Sequence, residues 1–348
     1  MTATSPDGWE EISLDDAGFA PDVVERIDAA FEAGKLKGLH GVVAIRRGRI
    51  AIERYYAGED NARGQPLGEV AFGPETLHDL RSVSKSVVSL LYGIGLAAGE
   101  VPAPETPLAE VYPELLAEGD ARRAITIGQV LTMTLGLAWD ESLPYHDPRN
   151  SEIAMDMAAD RVRFLLEQPL VEAPGSRWVY NGGATALLGR LIARGAGCDL
   201  LAVARQRLLG PLGIERAEWL GGCHEEPAAA SGLRLRPRDL AKIGQLVIQE
   251  GRWGDRQVVP RDWLAESFVP RVDTGEGLHY GYQWWLGKRL NSDQPWYGAF
   301  GNGGQRLTVI PSLDFALVVT AGNYNRDDAW QLPVAIIADY VGPAIVRL

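Results

Sequence analysis

Ser82 and Lys85 stand three positions apart in the run Asp79-Leu80-Arg81-Ser82-Val83-Ser84-Lys85-Ser86-Val87-Val88-Ser89-Leu90-Leu91. A serine hydroxyl attacks a carbonyl poorly until a base takes its proton, and a lysine amine kept from water has a lowered pKa and can be that base. The spacing decides whether the two groups meet. Val83, Val87, Leu90, Leu91 and Ile94 form an apolar stripe and Ser82, Ser86 and Ser89 a small polar one, which predicts a buried helix over 82–98. On a helix, residues i and i+3 are neighbours, so the amine reaches the hydroxyl. The helix N-terminus brings a positive dipole end and free backbone N–H groups to the place where an oxyanion would form. Ser84 and Ser86 flank Lys85 in sequence and therefore point elsewhere around the helix.

The elements that must position this pair are legible in outline. Residues 21–34 read as an amphipathic helix behind Pro21-Asp22, and Val42–Ile45 and Ile50–Ile52 flank Arg47-Gly48 as a hairpin. Near the other end, Arg306 to Ile310 and Phe315 to Thr320 are strand-like runs around Pro311-Ser312-Leu313-Asp314, and Val334 to Val341 reads as helical. Helical patterns fill the middle at 82–98, 126–135, 151–167, 184–195, 200–209 and 237–250. Strands first, helices next and strands last predict an α+β fold: one antiparallel sheet built from N- and C-terminal segments, flanked by helices, with a mainly helical inserted lobe. The expected division is 1–80 with 240–348 for the sheet lobe and 81–239 for the helical lobe carrying Ser82.

With 348 residues, 46% hydrophobic and 23% charged, the chain has the composition of an ordinary folded protein. Its net charge of −12 repels phosphate backbones and anionic lipid, so neither nucleic acid nor a membrane is an expected partner. No apolar stretch is long enough to span a bilayer, and the polar start lacks the features of a secretion signal, which points to the cytoplasm. Two cysteines, Cys198 and Cys223, are too few for a disulfide framework and are expected as buried thiols. The five histidines, His40, His78, His146, His224 and His279, have no H-x-x-x-H or H-x-H spacing, so neither metal nor cofactor is expected and a zinc hydrolase is disfavoured. There is no G-x-S-x-G elbow. Trp139, Tyr145, Trp178, Trp284, Trp285 and Phe300 lie beside loops or motifs, and Trp139 and Tyr145 are candidates to line a substrate pocket.

The run from Asp79 to Ser86 resembles the first motif of the serine β-lactamase and penicillin-binding-protein superfamily, in particular its class C branch of esterases, D-aminopeptidases and 6-aminohexanoate-dimer hydrolases. That resemblance extends to Trp178-Val179-Tyr180-Asn181-Gly182-Gly183, similar to the family's tyrosine motif, and to Gly301-Asn302-Gly303-Gly304-Gln305-Arg306, where the family has Lys-Thr-Gly or a variant. Ile125 to Asp140 and Ser231 to Leu240 fit the same pattern. It implies a proton network of Ser82, Lys85 and Tyr180, an oxyanion hole from the backbone N–H groups of Ser82 and Gln305, and substrate contacts from Asn181, Asn302, Gly303 and Gly304. Two departures matter. Gly182 stands where the family has an asparagine that holds an acylamino group, and Asn302 where it has a lysine that holds a carboxylate.

The reading that follows is a serine hydrolase cleaving a small ester or amide through an acyl-enzyme on Ser82. The alternatives are a β-lactamase or D-peptidase, which the two departures disfavour, and a non-catalytic binding protein that retains the fold. A scaffold has no chemical need for a serine, a lysine and a tyrosine together.

Overall fold

The computed structural model describes residues 8–275, 277–289 and 292–346. Strands β1 (Leu39–Arg46), β2 (Arg49–Tyr55), β3 (Val272–Asp273), β4 (His279–Tyr280), β5 (Trp285–Lys288), β6 (Pro295–Gly301), β7 (Gln305–Ile310) and β8 (Phe315–Ala321) form one sheet in the order β3-β4-β5-β6-β7-β8-β1-β2. Every pairing is antiparallel. The two hairpins expected at the ends of the chain meet where β1 pairs with β8, so the N- and C-terminal segments share one sheet.

The burial of β1 along its whole length shows that both faces of this sheet are covered. Successive side chains of a strand point to opposite faces. Val43 and Ile45 enter a core with Leu307, Val309 and Val318, while Val42 and Ala44 join Phe19, Ile27, Leu317 and Ile336 on the other side. That second side is closed by helix α1 (Val23–Glu32) and the wide turn of helix at Ile336–Val341, which Arg26 links by a 2.9 Å bond to the carbonyl of Asp339.

Three more helices build the region of the serine. Helix α2 (Val83–Ala97) is buried on nearly every side and packs on α3 (Gly182–Ala196) and on β6 and β7. Helix α4 (Pro237–Ile248) lies on β7, β8 and β1, so the lobe boundary expected between 239 and 240 cuts a helix that belongs to the sheet along its length.

Several expected helices are shorter than their periodicity. The pattern at 126–135 is helical over Ile127–Leu131 and stops where Met133 takes a left-handed φ of 58°. The pattern at 151–167 is two helices, Ser151–Met157 and Arg161–Glu167, because Asp160 caps the second by accepting from the N–H groups of Val162 and Arg163. At 200–209 an α-turn over Leu200–Ala204 widens into a π-turn over Arg205–Leu209. Neither cysteine is a buried thiol: Cys198 is half-buried and Cys223 exposed. Among the described residues no helix is long and apolar enough to cross a membrane.

The seat of α4 on the sheet depends on Gly244, where an added Cβ would stand 2.8 Å from the Ala316 methyl and 3.1 Å from Leu307 Cδ1. Overpacking of this kind costs about 1–3 kcal/mol. We expect Gly244→Val to lower the midpoint of thermal unfolding; an unchanged midpoint would mean that α4 can lift from the sheet without cost.

Candidate active site

The chain reaches Ser82 through a tight corner. The short strand His78–Asp79 ends, Arg81 takes a left-handed φ of 49°, and Ser82 becomes the cap residue of α2. A left-handed non-glycine residue costs roughly 1–2 kcal/mol. The buried carboxylate of Asp79 offsets that strain by accepting from the N–H groups of Arg63 at 2.6 Å and Arg81 at 3.2 Å, and by pairing with the Arg81 guanidinium at 3.2 Å. The N–H of Leu80 is tied to the Leu233 carbonyl. The corner is therefore held from both sides.

Ser82 Oγ accepts a 2.8 Å hydrogen bond from Lys85 Nζ, one turn along the helix. Lys85 is 1% exposed, and its amine also donates to the Ala230 carbonyl at 3.0 Å. Tyr180 stands beside the pair on the same cavity, with the Lys85 amine 4.8 Å from its ring centre. Burial first, and then the Glu141 carboxylate, push the Tyr180 phenol well above its ordinary range. Tyr180 is thus a proton-bearing phenol in the resting protein. Ser84 and Ser86 are committed elsewhere: Ser84 donates to the Arg81 carbonyl and Ser86 to that of Gln283.

Ser82 and Tyr180 open into a cavity of about 900 Å³ that is also lined by Tyr145, Asn302, Gly303, Gly304 and Gln305. Asn302 does not project freely into it, because its amide donates to Asn325 Oδ1 at 3.0 Å and accepts from the Asn325 N–H at 2.7 Å. Gly303 and Gly304 have φ of 91° and 96°, and a Cβ on Gly303 would meet the Tyr324 ring at 2.6 Å, so this turn requires glycine. The Gln305 side chain is buried and pairs both its amide atoms with the backbone of Ala321. Its main chain pairs with Gly301, whose Cα packs against the Leu80 carbonyl beside Ser82.

The other two expected pocket residues lie behind the wall. Asn181 is 2% exposed and caps α3 through the N–H of Ala184. Trp139 belongs to the apolar core and donates from its indole to Glu141. Trp284 is likewise in the core, whereas Trp285 and Phe300 line the cavity, stacked with ring centres 5.2 Å apart. Arg306 lies over Phe300 at 4.0 Å from the ring centre, and burial lowers its pKa to about 10. The cavity thus has aromatic lining from Trp285 and Phe300, and Arg306 and Arg326 are both among its lining residues.

Two groups escaped the sequence reading. The first is Glu141, which lines the cavity and fills the space left by the missing side chain of Gly182: its Oε1 accepts from the Gly182 N–H at 2.5 Å and from the Trp139 indole at 2.7 Å. Glu152 stands beside it, and a Cβ on Gly182 would approach the carboxyls of both. Burial, then repulsion from Glu152, raise the Glu141 pKa to about 8, against the pull of Lys85. The second is His40, Asp60 and His78, which meet beneath the Ser82 corner with one ligand atom each within 4.8 Å of the others, a donor set that could hold a metal ion. Local spacing could not reveal either group, since their members are far apart in sequence.

A family model described as Beta-lactamase matches residues 25–335. The chain is 33% identical over 227 residues to esterase EstB of Burkholderia gladioli, a match covering 62% of this chain and 55% of the esterase, so it spans little more than half the length of that relative. It is 24% identical over 298 residues to the 6-aminohexanoate-dimer hydrolase of Paenarthrobacter ureafaciens, covering 79% of this chain and 70% of that enzyme. Among solved structures, EstCE1, a hydrolase with promiscuous acyltransferase activity, superposes with a TM-score of 0.71 at 16% identity, over 94% of this chain and 99% of the other.

The buried Glu141 carboxyl makes stability depend on pH. Its pKa rises from 4.5 to about 8 on folding, so the native state keeps a proton that the unfolded chain releases between those values. The stabilisation is complete below the unfolded pKa and is lost as pH rises through the folded one. Glu141→Gln stays neutral throughout, so its melting temperature should fall less than that of the native protein between roughly pH 5 and pH 9. Parallel melting curves for the two proteins across that range would show that Glu141 does not titrate this way.

Proposed function

The chain belongs to the β-lactamase family of serine hydrolases, and from that premise we propose that it cleaves small esters or amides through an acyl-enzyme on Ser82. Its fold is β-lactamase-like, with the large antiparallel sheet and flanking helices of that class. The observation that carries the reading is the buried 2.8 Å contact of Lys85 Nζ with Ser82 Oγ at the floor of the cavity.

In the proposed reaction Lys85 acts as the neutral amine, and Ser82 Oγ attacks the substrate carbonyl as its proton passes to that amine. The negative oxygen is held by the backbone N–H groups of Ser82 and Gln305. As the bond to the leaving group breaks, Tyr180 supplies the proton that the leaving group needs and regains one from Lys85. This order follows from the raised pKa of Tyr180, which keeps the phenol protonated at the start and leaves the first proton transfer to Lys85. Water then attacks the acyl group, and its proton returns Ser82 to the hydroxyl form.

The cavity favours esters over β-lactams. At the place of a carboxylate-binding lysine stands Asn302, neutral and tied to Asn325, and beside Gly182 stands Glu141, an acid where an acylamino side chain would need a neutral amide. Trp285 and Phe300 suit an apolar acyl or alcohol group. Arg306 over Phe300 also suits a linear amide ending in a carboxylate, a second reading supported by that cation in the wall.

Groups that share one proton fail as a unit. Lys85→Ala and Tyr180→Phe should each lower kcat by about 10²–10⁴-fold, with the double variant close to the worse single one. Multiplicative losses would show that the two act separately. Substrate class is tested on one preparation: a fluorophosphonate should label Ser82 alone by peptide mapping, and kcat/KM for a p-nitrophenyl ester should exceed that for a chromogenic cephalosporin. Label on another serine, or a preference for the cephalosporin, overturns the proposal.

A further inference from the structure

Beneath the corner that carries Ser82, side chains from three separate strands converge: His40 on β1, Asp60 on the strand Gly58–Ala62, and His78 on the strand His78–Asp79. They are 1%, 5% and 0% exposed, and one ligand atom from each lies within 4.8 Å of the other two. None of them lines the cavity of Ser82.

Hydrogen bonding sets the tautomers. His78 Nδ1 is 3.0 Å from the Asp79 carbonyl oxygen, which can only accept, so Nδ1 carries the proton and Nε2 presents a lone pair. A backbone carbonyl that orients an imidazole in this way is the usual outer partner of a metal-bound histidine. The His78 Nε2 lone pair faces His40 Nδ1 at 2.9 Å. In the metal-free protein His40 must donate there, which leaves its Nε2 a buried lone pair with no partner among the described residues. Asp60 Oδ1 accepts from the Tyr324 hydroxyl at 2.8 Å, while Oδ2 is buried and unpartnered. Of the two, the Asp60 Oδ2 lone pair is the one that a cation held between Asp60 and the facing imidazole nitrogens would satisfy.

We propose that His40, Asp60 and His78 bind one divalent transition-metal ion, zinc foremost, as a structural brace under the Ser82 corner. Two imidazole nitrogens and a carboxylate oxygen suit zinc, cobalt or nickel and do not suit magnesium or calcium, which take oxygen ligands. Ligands of a tetrahedral zinc at ordinary bond lengths lie roughly 3.4 Å apart. The 2.9 Å imidazole pair and the 4.8 Å outer limit bracket that value, so small side-chain rotations complete the site. The ion takes the place of the proton shared between His40 Nδ1 and His78 Nε2, and that proton moves to His40 Nε2. Asp60 Oδ2 gains its cation.

The brace acts through position. His78 leads directly into the corner, and Asp60 holds Tyr324, whose ring carries the Arg81 guanidinium at 4.7 Å and backs Gly303. One ion would tie β1 to both sides of the serine without touching substrate, so the role is distinct from the acyl-enzyme chemistry.

The test uses the untagged full chain, stripped with a chelator, equilibrated with zinc chloride and passed through gel filtration. Elemental analysis should find one zinc per chain, and the melting temperature should rise on zinc addition. Cobalt chloride should give visible ligand-field bands. His40→Gln and the near-isosteric Asp60→Asn should abolish metal retention, while Ser82→Ala and His146→Gln keep it. Absence of stoichiometric zinc together with absence of cobalt bands in the folded native chain overturns the proposal, as does metal retained in both His40→Gln and Asp60→Asn.

Discussion

A lysine amine with 1% of its surface in solvent cannot be left without acceptors, and much of the architecture around the cavity answers that requirement. The Lys85 amine finds Ser82 Oγ on its own helix and the Ala230 carbonyl from a segment far along the chain, with the face of Tyr180 nearby. Helix α2 can bury the amine because its neighbours are apolar or small, and because α3 and strands β6 and β7 close over it. The contact that satisfies the lysine is the same one that brings its amine to the serine hydroxyl. In the proposed reaction that one hydrogen bond serves the chemistry as well as the burial of the amine.

The second constraint is the corner before Ser82. Arg81 in the left-handed region points the serine out of the strand and into the start of α2, and the buried Asp79 carboxylate pins both its backbone and its guanidinium. On the opposite side the end of β6 reaches the same corner, with Gly301 against the Leu80 carbonyl and Gly303 against Tyr324. Close approach of two backbones is possible there because these positions carry no side chain. The edge of the sheet and the head of the helix are thereby fixed relative to each other, as the oxyanion site proposed between Ser82 and Gln305 requires.

Gly182 shows how a departure from a family pattern can be refilled from elsewhere. The space above it is taken by Glu141, and the Glu141 carboxyl is held by the Gly182 N–H and the Trp139 indole. A neutral amide is thus exchanged for an acid whose charge state depends on pH and which raises the pKa of Tyr180 next to it. Trp139, marked by its place in a loop as a pocket residue, supports Glu141 from behind instead.

The sequence by itself determined what depends on neighbours along the chain. The i, i+3 relation of Ser82 and Lys85, the hairpin of β1 and β2, the strands β7 and β8, and the helices α1, α2 and α4 all follow from periodicity and turn residues, which act over a few positions. Helix ends were less legible: Met133 and Asp160 stop helices through a left-handed turn and a cap that apolar spacing does not register. Tertiary structure alone decided which side chains share a space. Asn181 was drawn into capping α3, Glu141 was brought to Gly182 from 41 positions away, and His40, Asp60 and His78 were gathered from three strands. Those encounters are set by how the sheet and helices pack, and packing is a property of surfaces that no short window of sequence contains.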